Sequence, residues 1–166
     1  WTFGVPLMSS GRPSAIGAPC AITVIRSASE KTTCMSCSIT TMVMPLALSP
    51  DRRVLYAGIR SEPWRVLALR TAAADGTLQL LGEAPLPASM AHLSVDGSGR
   101  WLFSASYHGD RLALAPIAAG GLPGAAVHTW PTARHAHAMR ASPDNRFVFA
   151  TSLGGGLLMQ FRFDAA

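Results

Sequence analysis

Histidine and arginine side chains recur at a few places in this sequence, and their types could support acid–base chemistry on an anionic molecule. Four of the five histidines are His92, His108, His135 and His137, and Arg134 stands directly before His135. Histidine exchanges protons near neutral pH, so it can act as a general base. Arginine presents a planar set of N–H donors that suits carboxylate and phosphate groups. Whether these side chains can act together depends on the elements that carry them.

Those elements are set by a repeat that runs from Met44 to the end of the sequence. A nine-residue stretch, a turn followed by an apolar run, occurs three times: Ser49–Ala57, Asp96–Ser104 and Ser142–Ala150. Aligned on Arg53, Arg100 and Arg146, the copies lie 47 and 46 residues apart, and a second apolar segment follows each arginine at the same offset. A β-sandwich also has short strands, but it would not repeat the same loop chemistry at fixed offsets.

Each repeat is long enough for four short antiparallel strands. In the first repeat the pattern predicts strands at Leu46–Leu48, Val54–Ile59, Arg65–Arg70 and Leu78–Leu81. Pro50 marks the first turn, and Asp75-Gly76 marks the last one, where the second repeat has Gly120-Gly121. Four antiparallel strands in about 46 residues are typical of one β-propeller blade. We therefore predict an all-β chain, a β-propeller of about three four-stranded blades at residues 43–88, 89–133 and 134–166, the last one incomplete.

The blade plan brings the polar residues to one place. In an antiparallel pair, the start of the first strand lies beside the end of the second. This pairing puts Ala91-His92 next to Tyr107-His108, and residues 134–137 next to residues 152–154. Four of the five histidines, with Arg60 and Arg134, are thus predicted to lie on one rim of the propeller, away from His128.

The composition excludes several classes of protein. Hydrophobic residues make up 49% of the 166 residues and charged residues only 14%, which is not the composition of a disordered chain. The longest uncharged run, Leu112–Ala133, is broken by glycines and prolines, so we predict no membrane association. The net charge of +5 comes from scattered arginines, and we predict no nucleic-acid partner.

Residues 1–42 form an atypical N-terminal segment. They begin with Trp1 and hold all three cysteines, Cys20, Cys34 and Cys37, but they lack the repeat, so the segment is either divergent or read in the wrong frame. Cys34 and Cys37 have the CxxC spacing of zinc and redox sites. Zinc needs four ligands, and no second pair follows at a suitable distance. We interpret the cysteine pair as incidental and predict no metal site.

Three stretches of the repeat resemble the lactonase family of seven-bladed propellers, and within it the bacterial 6-phosphogluconolactonases of the propeller type. The resemblance covers residues 43–164. The stretches that carry it are Leu48–Arg60 with Arg65–Arg70, Ala91–Arg100 with the Ser106-Tyr-His-Gly109 loop, and the His135–Asn145 segment that opens with His-Ala-His.

The resemblance implies a seven-bladed ring that hydrolyses 6-phosphogluconolactone to 6-phosphogluconate in the pentose phosphate pathway, in the cytoplasm. It implies no metal or organic cofactor, and a small phosphorylated sugar lactone as the partner. Under this interpretation His137 is the expected general base. His135, two residues earlier, points to the same side if the strand has already begun. Substrate-binding roles are expected for Arg60, Arg134, Tyr107, His108 and His92.

Three alternatives stay open at this stage. A related branch of the superfamily acts on muconate-type lactones. A non-catalytic propeller could instead bind a protein or peptide on the same rim. The chain could also be a damaged reading frame without a function of its own. Because a closed ring typically needs four or more blades, we expect the chain alone to be inactive until the missing blades are supplied.

Overall fold

Each repeat folds into its own antiparallel sheet in the computed structural model, which describes residues 45–165. The first sheet has the strands β1 (Leu46–Leu48), β2 (Val54–Ile59), β3 (Arg65–Thr71) and β4 (Leu78–Pro85). The second sheet has β5 (His92–Val95), β6 (Trp101–Ser106), β7 (Arg111–Pro116) and β8 (His128–Pro131). The third has β9 (Ala136–Ala141), β10 (Phe147–Ser152) and β11 (Leu157–Arg162). The predicted all-β propeller architecture is confirmed, while residues 1–42 and their cysteines lie outside the described residues.

The predicted strands of the first sheet are found, with β3 one residue longer than predicted, to Thr71, and a larger difference at the outer strand. β4 continues to Pro85, four residues beyond its predicted end at Leu81. Ala68 pairs with Gly82 and Leu69 pairs with Leu80, so Leu81 is an extra residue in the ladder. A bulge of this kind interrupts the alternation of side chains between the two faces of the sheet, which is why the predicted strand ended at Leu81.

The turn between the first two strands of each sheet is built by a serine and an aspartate. In the first sheet the Arg52 amide donates to the Ser49 carbonyl at 2.9 Å, which places Pro50 at the first central position as predicted. The Ser49 hydroxyl accepts the Val54 amide at 2.9 Å, and Asp51 accepts the Arg53 amide at 3.1 Å. The third sheet repeats these bonds with Ser142 and Asp144.

The second sheet exchanges the two residue types. Asp96 stands where the other repeats have serine, and its carboxylate accepts the Arg100 and Trp101 amides at 2.9 and 2.8 Å. Ser98 takes the aspartate position and donates to the Asp96 carboxylate through its backbone amide and its hydroxyl. An aspartate accepts a backbone bond in all three turns, but Asp96 does so from a different position of the turn.

Asp96 also joins two sheets. Its side chain is fully buried and accepts a bond from the Asn145 side-chain amide at 2.9 Å, while the Asn145 oxygen accepts the Gly97 amide at 2.9 Å. Burial raises the pKa of Asp96, but hydrogen bonds from Ser98 and Asn145 outweigh it, and the pKa lies below the ordinary 3.8. The carboxylate is therefore held in its charged form between the second and third repeats.

Two apolar layers hold the sheets face to face. The layer between the first and second sheets includes Tyr56, Val66, Leu93 and Leu102, and the layer between the second and third includes Phe103, Leu112, Met139 and Val148. Strand alternation leaves other apolar side chains on the outer faces of the end sheets. These are Leu46 and Leu48 on the first sheet, 57% and 47% exposed, and Phe149 and Leu158 on the third, 37% and 70% exposed.

We predict that Asp96→Ala lowers the free energy of unfolding by about 3 kcal/mol, because it removes a buried carboxylate and leaves several part-buried donors without their acceptor. Asp51→Ala, at an exposed aspartate that also accepts a turn amide, should cost no more than about 1 kcal/mol. Chemical denaturation of the two variants measures both values. Equal costs would contradict the role assigned to the buried carboxylate.

The same pair of chains gives a pH test. Because the pKa of Asp96 is lowered on folding from 3.8, its contribution is complete above that pH and is lost as the pH falls through the folded value. The stability difference between the unsubstituted chain and Asp96→Ala should therefore narrow below that pH. A stability difference that widens below that pH would show that folding raises the pKa of Asp96 instead of lowering it.

Candidate active site on one rim

The rim is formed where the first strand of each sheet begins and the second strand ends. The Gly58 amide donates to the Pro45 carbonyl at 2.9 Å, and the Ala91 amide donates to the Ala105 carbonyl at 2.8 Å. In the third sheet the Leu153 amide donates to the His135 carbonyl at 2.8 Å. The three pairings lie at the same end of the sheets, and this is the arrangement that the repeat predicted.

Tyr107 is the centre of a ring cluster on this rim. The His135 imidazole stacks on the phenol ring with the centroids 4.2 Å apart and the planes at 4°. His137 meets the same ring edge-on at 6.0 Å, and His108 does so at 5.1 Å. The structure thus brings four of the seven predicted site residues together, two from the second sheet and two from the third.

The route by which His135 reaches Tyr107 differs from the expectation. β9 begins at Ala136, and His135 has a φ of +63°, so it lies in a left-handed turn before the strand. The strand has therefore not begun at His135, whereas the expectation required that it had. The alternation of side chains along a strand does not explain why the His135 imidazole points to the same ring as His137. A left-handed residue outside glycine is uncommon and depends on its surroundings.

His137 lies at an irregularity of the strand. Ala136 pairs with Ser152 and Ala138 pairs with Thr151, which leaves His137 as an extra residue in β9. A β-bulge re-aims the side chain it carries and is common beside functional sites. The His137 side chain is exposed on the rim.

His92 contacts the neighbouring sheet through its ring. The Met139 amide donates to His92 Nδ1 at 3.4 Å, so the proton of the neutral imidazole belongs on Nε2. Burial lowers the pKa of His92, and the nearby Arg140 and His137 lower it further. These effects favour the neutral imidazole, which carries its N–H on Nε2.

The two predicted arginines differ in their place along the chain, since Arg60 precedes the whole ring cluster and Arg134 stands directly before His135. Arg60 is half-buried, and its Nε donates to the Ser89 hydroxyl at 3.2 Å. Arg134 is exposed, and its carbonyl accepts the Ser152 hydroxyl at 2.6 Å and the Gly154 amide at 3.0 Å. His128 lies on β8 and stacks on Trp130 at 5.5 Å, apart from the cluster as predicted.

Two further residues contact the cluster and were not predicted from the sequence. The Asp110 carboxylate accepts the His135 amide at 2.6 Å. A Cβ added to Gly154 would lie 2.8 Å from His135 Nδ1, so this glycine leaves the space that the imidazole fills. Asp110 could have been found from the repeat, because the 46-residue offset aligns it with a glycine, Gly156.

A shallow cleft lies behind the same loop. It has a volume of about 430 Å³ and is lined by two segments, residues 109–111 and 129–132. None of the seven predicted site residues lines it. Asp110 joins the histidine cluster to this cleft, because it lines the cleft and accepts the His135 amide.

A sequence profile described as "Lactonase, 7-bladed beta-propeller" matches residues 21–166. The chain belongs to this family. The match begins at residue 21, whereas the resemblance seen in the repeat began at residue 43, so part of the atypical segment is included. Within residues 45–165 no helix has the length and apolar character needed to cross a membrane.

The chain is similar to proteins of known sequence and to proteins of known structure. A protein of Cronobacter sakazakii named 6-phosphogluconolactonase is 45% identical over 111 residues, which cover 67% of this chain and 33% of that protein. A protein of the same name from Enterobacter is 40% identical over the same shares. The chain therefore spans about one third of the length of these curated relatives. The structure of a periplasmic gluconolactonase from Pseudomonas aeruginosa superimposes with a TM-score of 0.65 at 24% identity, covering 72% of this chain and 39% of that one, which supports the fold.

We predict that Gly154→Ala displaces the His135 imidazole from Tyr107. The new methyl group would lie 2.8 Å from His135 Nδ1 and 3.1 Å from the Arg134 carbonyl oxygen, and the crowding should cost about 1–3 kcal/mol. Proton NMR measures the displacement, because stacking on a phenol ring shifts imidazole protons upfield. Gly120→Ala is the control, since its methyl group would meet no atom within 4 Å. An unchanged His135 signal in Gly154→Ala would contradict the prediction.

Proposed function

We propose that this chain supplies part of the active site of a lactonase that hydrolyses 6-phosphogluconolactone to 6-phosphogluconate. The observation that carries the proposal is the cluster of Tyr107 with His108, His135 and His137 on the open rim of a lactonase-family propeller. The names of the curated relatives support the choice of lactone.

In the proposed reaction His137 acts as the general base. It accepts a proton from a water molecule whose oxygen attacks the lactone carbonyl carbon. The ring C–O bond of the tetrahedral intermediate then breaks, and the proton passes to the departing ring oxygen, which gives a hydroxy acid. The bulge and the exposure of His137 support this assignment, because they leave the imidazole accessible to water and substrate.

The other predicted residues bind and orient the substrate in this proposal. Arg60 and Arg134 contribute fixed positive charge for the phosphate or for the developing oxyanion. Tyr107 and His108 are orienting donors, and His92 donates from Nε2. His135 supports His137 beside the phenol ring. The mechanism as proposed uses no metal or organic cofactor.

The ring must be completed for this chemistry. The chain covers about a third of the named relatives, and apolar side chains such as Leu46 and Leu158 are exposed on the outer faces of its end sheets. We propose that further blades cover these faces and complete the site, and that the chain alone does not hydrolyse the lactone. We also propose a cytoplasmic location, because a phosphorylated sugar is charged and is retained where it is formed.

A chimeric ring tests the proposal. Residues 45–165 would replace the matching segment of the Cronobacter sakazakii 6-phosphogluconolactonase, and formation of 6-phosphogluconate would be followed in a coupled assay. We expect the chimera to hydrolyse the lactone and the isolated 166-residue chain to match the spontaneous rate. Hydrolysis by the isolated chain, or a folded chimera without activity, would contradict the proposal.

Within the chimera, His137→Ala should lower kcat by about 100-fold or more with KM retained, as the loss of a general base does. His128→Ala is the matched control, because this histidine lies apart from the cluster, on β8. A propeller that only binds a protein or peptide would have no turnover to lose. An unchanged kcat in His137→Ala would remove this residue from the base role.

A further inference from the structure

The loop that carries Tyr107 and His108 has a counterpart in the third sheet. In the second sheet the Ser106 hydroxyl donates to the Ser89 carbonyl at 2.8 Å and accepts the Gly109 amide at 2.9 Å. In the third sheet Ser152 makes the same two bonds, to the Arg134 carbonyl at 2.6 Å and from the Gly155 amide at 3.2 Å. The two loops therefore share one backbone plan, at an offset of 46 residues.

The last residue of each loop is left-handed, and only one of them is glycine. Gly156 has a φ of +61°, and Asp110, at the matching position, has a φ of +47°. Glycine adopts this region without a steric cost, whereas a residue with a Cβ pays for it. An aspartate at this position therefore calls for a use of its side chain.

The Asp110 side chain has such a use across the gap between two sheets. Its carboxylate accepts the His135 amide at 2.6 Å, and its backbone carbonyl accepts the Thr132 amide at 2.8 Å. His135 is itself left-handed, and its imidazole stacks on Tyr107, three residues before Asp110. One loop thus holds His135 at two points, the backbone amide and the ring.

From this geometry we infer that Asp110 is a positioning residue for the histidine pair of the rim. A charge-assisted bond to the His135 amide fixes the left-handed turn. The turn sets the direction of the imidazole and the point at which β9 begins, one residue before the His137 bulge. Asp110 acts through His135, and no contact with the substrate is assigned to it.

Asp110→Gly in the full 166-residue chain tests the inference without any assay of activity. Glycine suits the left-handed backbone, as Gly156 does in the third sheet, and it removes the side chain that accepts the His135 amide. We expect cooperative unfolding to be retained and the upfield-shifted His135 ring signal, assigned by its loss in His135→Gln, to move toward the position of an unstacked histidine. Asp110→Asn keeps an acceptor oxygen and should restore the signal.

The control is Asp75→Gly, at a turn on the opposite rim where the carboxylate accepts the Thr77 amide at 3.0 Å. It should leave the His135 signal unchanged. The inference is overturned if Asp110→Gly keeps the stacked signal, or if Asp110→Asn loses it as fully as glycine does. Loss of cooperative unfolding in Asp110→Gly would also count against it, because that result indicates a structural role instead.

The effect on turnover is the one step that rests on the proposed function. In the chimeric ring Asp110→Gly should lower kcat about 10- to 100-fold, since small displacements of a reacting group have effects of that size. Asp110→Asn should stay close to the parent. If the parent chimera is inactive while the NMR result holds, the proposed function fails and the positioning role stands. If the parent is active and Asp110→Gly turns over at the same rate, the positioning role fails alone.

Discussion

The arrangement of the rim depends on polar bonds that tie strand β5 to the third sheet at both of its ends. At the rim end of β5, His92 Nδ1 accepts the Met139 amide, and two residues further on the Ser94 hydroxyl donates to the Met139 carbonyl at 2.6 Å. At the opposite end, Asp96 and Asn145 bond to each other. Backbone groups on a strand edge must find partners when they are covered by another sheet. The apolar layer pulls the sheets together, and these bonds fix the position at which they meet.

The same interface explains why the chemistry-bearing rings come from two sheets. Tyr107 belongs to the second repeat and His135 and His137 to the third, so their contact exists only while the two sheets keep their register. A fixed contact between neighbouring repeats is what repeat proteins use in place of a single central core. Fold stability and site geometry therefore depend on one set of bonds.

Much of the fold and of the rim could be predicted from the sequence, because the same pattern of turns and strands occurs three times. The bounds of β1 and β2 and the turn at Pro50 follow from alternation and turn chemistry, and the rim follows from antiparallel pairing. The rest depended on departures from the repeat. The bulges at Leu81 and His137 and the left-handed turn at His135 are set by contacts between elements, and no local pattern encodes them. The pairing of strands therefore predicted that His135 lies on the rim, whereas the left-handed turn that directs its ring to Tyr107 has no counterpart in the alternation pattern.

Departures from the repeat are also where the candidate chemistry lies. At the position after the second strand, the three repeats carry Arg60, Tyr107 and Leu153, so packing demands no particular residue there. Scaffold positions behave differently, since even with serine and aspartate exchanged in the second turn the same two backbone amides are bonded. A rim position that varies freely among repeats can be given to catalysis without loss of the fold. Asp110 also departs from the repeat, because it adopts a backbone conformation that costs less for glycine and makes a side-chain contact to His135 that glycine could not make.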